Sequence, residues 1–108
     1  MKEDKVYLED ILDSIEKIER YVNRLSPAQF TDDSAAQDAV MRRLSIIGEA
    51  VKHLSAEIKS KQPDIPWKDI AGMRDILIHE YAGVQLERIW NTIQNDLPPL
   101  KDAVKKLI

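Results

Sequence analysis

The chain has 108 residues, 44% of them hydrophobic, and a formal net charge of -3. That is the size of a single domain, residues 1–108, with a core of its own. The acidic balance argues against a broad non-specific nucleic-acid footprint but leaves room for a local basic groove. Cys is absent, Gly numbers three, and the two His lie outside any HExxH or His-x-His cluster. Disulfides are thereby excluded, no ordinary zinc site or phosphate loop is offered, and neither a resident metal nor a cofactor is expected. No apolar run approaches the roughly 20 residues of a membrane span. The opening MKEDKV lacks a signal-peptide core, so a soluble cytoplasmic protein without membrane contact is expected.

The first helix is expected from a cap at Asp4 to about Leu25, because Leu8, Ile11, Leu12, Ile15, Ile18, Val22 and Leu25 recur at three and four. Its acids exceed its bases, which reads as a solvated face laced by pairs such as Asp13 with Lys17, or as an acidic docking surface. Ser26-Pro27 suits an N-cap and first turn, with Phe30 tucking the connection onto the core. A longer helix is expected from residues 31–34 to about 61, with Val40, Leu44, Ile47, Val51, Leu54 and Ile58 as its stripe. Gly48 inside it costs about 1 kcal/mol against Ala, which suggests a close packing contact. His53 falls on its polar side and reads as solvated.

Residues 62–66, QPDIP, turn the chain, and Asp64 or Pro66 should start the central helix. Trp67 reads as a core anchor. In this helix Ile70, Met73, Leu77 and Tyr81 share one face, and Ile76 and Ile78 flank it. Only a narrow stripe of Lys68, Gly72, Asp75 and His79 stays polar, with Arg74 close to the Ile70 face. A helix apolar nearly all round is normally buried, so the polar slot calls for a reason. Ala82-Gly83 should stop the helix. The last stripe, from Leu86 to Leu107, is interrupted by Pro98-Pro99, which gives either two helices or one sharply kinked helix. Asp96 is expected to cap the second part. No alternating strand pattern and no repeat is visible. The fold class is all-α, an up-down four-helix bundle with an additional C-terminal helix.

Chemistry concentrates in Arg74-Asp75-x-x-x-His79-x-Tyr81. Asp75 and His79 are i,i+4 and can touch, so the carboxylate can fix the imidazole tautomer. Arg74 can hold a phosphate by two points. Such groups can cleave RNA without a metal: a base takes the 2′-hydroxyl proton, an acid protonates the leaving oxygen and the arginine steadies the charged phosphorus centre. On spacing alone, a buried ion-pair cluster at a helix end fits these residues better.

The pattern resembles the signature of HEPN domains of the HepT-like subfamily. The likeness rests on Arg74-x4-His79-x-Tyr81, Ile47-Gly48-Glu49-Ala50, the Ile65-Pro66-Trp67 lead-in and the Asp96-Leu97-Pro98 turn, and it covers almost the whole chain. It implies a helical bundle that forms a homodimer, with the Arg and His motifs of both subunits at a shared cleft. It implies a metal-independent endoribonuclease toxin acting on an RNA substrate, with Arg74, His79 and Asp75 catalytic. It further implies a minimal nucleotidyltransferase antitoxin (MntA-like) as partner, which transfers AMP to Tyr81. The alternative is a non-catalytic subunit whose cleft binds a nucleotide or assists a nucleotidyltransferase.

Overall fold

The computed structural model describes residues 2–79 and 86–108, without the side chains of Lys2 and of residues 74–79. Among the described residues every regular element is helical and no strand occurs. The elements are α1 (Lys2–Val22), α2 (Pro27–Asp32), α3 (Ser34–His53), α4 (Ala56–Ser60), α5 (Trp67–His79), α6 (Leu86–Asn91), a π-helical turn (Thr92–Asp96) and α7 (Leu97–Leu107). Helix α3 packs against both α1 and α5, and α7 lies on α1. With α6 and α7 as the fourth member, this is the expected bundle. Among the described residues no helix is long and apolar enough to cross a membrane.

The apolar stripes meet in one core. Leu8, Ile11, Ile15 and Ile18 of α1 face Val40, Leu44, Ile47 and Val51 of α3, and Leu100 and Val104 of α7 close it. Gly48 is buried as well, where α3 is clasped by its neighbours. Among the described residues, the Ser14 hydroxyl is buried in this core and meets no hydrogen-bond partner.

Asp4 does not cap α1. It lies inside the first turn and is buried, at 4% exposure. Its carboxylate accepts from the backbone N–H of Ser55 at 2.9 Å and from the Ser55 hydroxyl at 2.7 Å. These bonds hold its pKa below the ordinary carboxylate value. They also join the start of α1 to the end of α3, so the two helices run antiparallel. The Tyr7 ring stacks on His53 near the same corner, with centroids 4.9 Å apart.

The short helical start at Ser26-Pro27 is α2, and the single long helix expected from residues 31–34 to about 61 is two pieces, α3 and α4. Ser26 and Gln29 form a reciprocal capping box for α2, with Pro27 in its first turn. Asp33 caps α3 by accepting from Ala36 N–H at 2.9 Å. After His53 the chain breaks, and Ser55 caps α4 by accepting from Ile58 N–H at 3.2 Å. Leu54 and Ile58 stay buried across the break, which is why their spacing hid it. Phe30 is buried and meets Trp90 in a tilted pair, 5.4 Å between centroids.

Trp67 opens α5 as the anchor expected of it. It is 8% exposed, and its indole N–H donates to the carbonyls of Lys59 and Gln62 at 3.1 and 3.0 Å. The Ile70 N–H bonds back to Pro66, so the helix starts at the later of the two expected positions. Beyond Trp67 the described part of α5 is not buried as its composition suggested: Ile70, Ala71, Gly72 and Met73 are half-buried. The expected stop at Ala82-Gly83 lies outside the described residues.

The last segment is neither two separate helices nor a simple kink. A π turn links α6 to α7, with Leu97 N–H bonding to Thr92 C=O. Asp96 keeps a helical backbone and makes no side-chain cap bond, contrary to expectation. The wider turn lets Pro98 and Pro99 enter the first turn of α7, where a missing N–H is tolerated.

Candidate active site

Helix α5 carries Arg74, Asp75 and His79 on one continuous backbone. Lys68, Gly72, Asp75 and His79 follow one another at four, three and four residues, which on a regular helix is one stripe. The described half of that stripe is open: Lys68 is exposed, and a Cβ added at Gly72 would meet nothing within 4 Å. Gly72 therefore meets no close packing contact among the described residues. Arg74 stands off this stripe, about 140° around the axis and about 7.5 Å along it from His79. Tyr81 lies outside the described residues.

The stripe opens into a groove of about 780 Å³. One wall is the first half of α5, through Lys68, Ile70, Gly72 and Met73. The opposite wall comes from Arg88 of α6, Thr92 and Asn95 of the π turn, and Pro99 and Leu100 of α7. Met73, the residue before Arg74, is the last residue of α5 among the described ones that lines it. Its rim mixes Lys68 and Arg88 with Asp64, Asp69 and Asp96, which gives it no single charge. The volume suits a small ligand or part of a strand.

The wall opposite α5 was not singled out from the sequence. A signal existed, because Arg88, Thr92 and Asn95 are spaced by four and three and form a polar face opposite the buried Ile89 and Ile93. The π turn holds them in place: the Thr92 hydroxyl donates to the Arg88 carbonyl at 3.0 Å, and the Asn95 amide bonds the Asn91 side chain. His53, the second histidine, is exposed as expected but not free in solvent. It pairs with Glu49 at 3.2 Å and stacks on Tyr7, at the end of α3 that joins α4.

An α-helical bundle with an Arg-x4-His helix beside an open groove thus defines the class. The Ribonuclease HepT-like family matches residues 11–107, and the chain belongs to that family. It is 46% identical over 99% of its length to the "Gamma-glutamylcyclotransferase and putative RNase" of Methanocaldococcus jannaschii, of which it spans about half, 48%. It is 45% identical to the "Probable ribonuclease HepT" of Thermococcus cleftensis, over 95% of this chain and 94% of that one. It is also 45% identical to the "Putative RNase" of Caldanaerobacter subterraneus, over 100% and 96%. No solved structure matches the chain.

Proposed function

We propose that this protein is a metal-independent endoribonuclease, active as a homodimer. We further propose that it is the toxin of a pair whose antitoxin, a minimal nucleotidyltransferase, silences it by transferring AMP to Tyr81. The observation that carries the reading is that Arg74, Asp75 and His79 lie on one helix, whose first half lines an open groove, in a chain of the HepT-like family. Arg74 binds the scissile phosphate by two points. Asp75, one turn before His79, orients its imidazole. The 2′-oxygen attacks phosphorus as a base takes its proton, and the P–O5′ bond breaks as an acid protonates the leaving oxygen. The products are a 2′,3′-cyclic phosphate and a 5′-hydroxyl.

The angle between Arg74 and His79 supports the dimer. On one helix the two diverge, so a cleft shared by two subunits brings an arginine of one toward a histidine of the other. Two histidines then divide the base and acid roles. For silencing, the Tyr81 hydroxyl attacks the α-phosphorus of ATP on the antitoxin and pyrophosphate leaves. The phosphodiester so formed sets a negative charge near Arg74 and His79, where it competes with RNA.

The test is cleavage of single-stranded RNA by the purified protein with EDTA present. Arg74→Ala, Arg74→Lys and His79→Ala should each lose at least a hundredfold in rate while helicity and dimer mass persist. Full activity in Arg74→Lys would show that the arginine is no phosphate fork, and variants that melt well below wild type would favour a structural ion-pair cluster. With the cognate nucleotidyltransferase and Mg-ATP, intact mass should rise by one or more AMP units, absent in Tyr81→Phe. Modification of Tyr7 or Tyr21 instead would sink the silencing scheme. One observation favours a second reading, a non-catalytic nucleotide-binding subunit: the groove has the volume of a nucleotide site. Growth arrest on expression of this chain alone separates the two, since only the ribonuclease produces it.

A further inference from the structure

The charge of this acidic chain is not spread evenly over α1. Lys17 and Arg20 are three residues apart and neighbour each other on its C-terminal half, and Arg24 follows in the turn just after the helix. The acids beside them turn toward α7: Glu19 binds Lys101 at 2.8 Å, and both Glu19 and Glu16 help hold the Lys101 ammonium above its ordinary pKa. The cations on α1 are joined by one from α3, Arg43. Asp13 makes the link, pairing with Lys17 at 3.0 Å, and its carboxyl is held below its ordinary range by Lys17, Arg43 and Arg20. One carboxylate thus sits among three cations drawn from two helices, and Arg24 and Arg42, next along the chain, are exposed.

An aromatic ring stands in the same patch. Tyr21 is 39% exposed, among the few large hydrophobic residues left open to solvent. It is i+4 from Lys17, so the two are neighbours on the helix surface, and Arg24 follows three residues later in the turn. An open ring between cations is what single-stranded nucleic acid uses, with phosphates on the cations and a base stacked on the ring.

The patch lies level with the catalytic helix. Because α1 and α3 are antiparallel, the C-terminal half of α1 lies against the N-terminal half of α3. Helix α5 returns along α3 from the α4 corner, with about 18 Å of rise between Trp67 and His79. The same rise counted back along α3 from its end reaches about Arg42. Arg42 is therefore level, along α3, with the end of α5.

We propose that Lys17, Arg20 and Tyr21 of α1 and Arg24 just after it, with Arg42 and Arg43 of α3, form a binding track for single-stranded RNA that leads to the motif on α5. This rests on the ribonuclease reading and extends it. The catalytic helix takes the scissile phosphate, and the track holds the nucleotides beyond it. A net negative protein thereby binds a polyanion through one segregated face.

The test uses the full-length protein and a fluorescein-labelled 2′-O-methyl oligoribonucleotide, which lacks the 2′-hydroxyl needed for cleavage. Anisotropy is followed as salt is raised. A combined Arg20→Gln, Arg24→Gln, Arg42→Gln variant should bind at least tenfold more weakly, and its slope of log affinity against log salt should fall by about 2, roughly 0.7 per phosphate contact removed. Tyr21→Ala should weaken binding about tenfold, and Tyr21→Phe should restore it, because stacking needs the ring and not the hydroxyl. On cleavable RNA the triple variant should raise KM for long substrates while kcat on a dinucleotide is unchanged. Wild-type protein that cleaves RNA, with a triple variant of unchanged affinity and salt slope, overturns the track and leaves the ribonuclease reading intact. Wild-type protein that neither binds nor cleaves overturns both.

Discussion

Asp4 illustrates how one residue changes meaning between sequence and structure. As a sequence signal it is a helix cap; in the fold it is a tie between the first helix and the corner after α3. Losing it leaves the Ser55 N–H and hydroxyl without that acceptor in a part-buried place, which is costly. Asp4→Ala should lower the melting temperature by several degrees at neutral pH, read by circular dichroism. The folded carboxyl titrates below its ordinary value, so its stabilisation is fully present above the ordinary carboxylate range. It is lost as pH falls through the lowered value. The gap between wild type and Asp4→Ala should therefore close on acidification below pH ~4, and a gap that persists or widens there would show that the carboxylate charge is not the source.

At the scale of elements, α5 combines a helix-weakening residue with free space. Gly72 costs about 1 kcal/mol against Ala in a helix interior, and a Cβ there meets nothing within 4 Å. Gly72→Ala should accordingly stabilise the protein by roughly 0.5–1 kcal/mol in urea unfolding. A loss of stability accompanied by a loss of dimer would instead mean that a second chain approaches the backbone at that point. The π turn makes the same point from the other wall. It keeps Arg88, Thr92 and Asn95 along one face of the groove while admitting two consecutive prolines. Inserted π turns occur often at functional sites, and this one lines the groove beside the first half of α5.

At the scale of the molecule, the half-buried Ile65, Ile70, Ala71 and Met73 leave an apolar surface along α5 in the single chain. An isologous dimer across this face would cover it and bring two copies of the motif together. Light scattering at micromolar concentration should give about twice the 12.4 kDa of one chain. A monomer mass would remove the shared cleft and, with it, the division of acid and base between two histidines.

The helical class, the core stripes and the motif were legible in the sequence because each is a local property. Apolar spacing at three and four fixes which face of α1, α3 and α7 is buried, and Arg74, Asp75 and His79 need only a helix to take their spacing. The Ser26 cap and the Trp67 anchor were legible for the same reason, since their partners lie within a few residues. The break after His53 was not, because Leu54 and Ile58 continue the rhythm and what favours the break is Ser55, held by Asp4 from the far end of the chain. The π turn was not, because i→i+5 bonding changes no residue's apolarity. The groove and the segregation of charge on α1 depend on which helix lies beside which. Only the antiparallel packing of α1 on α3, and of α7 on α1, gathers arginines toward one side and pairs the acids on the other.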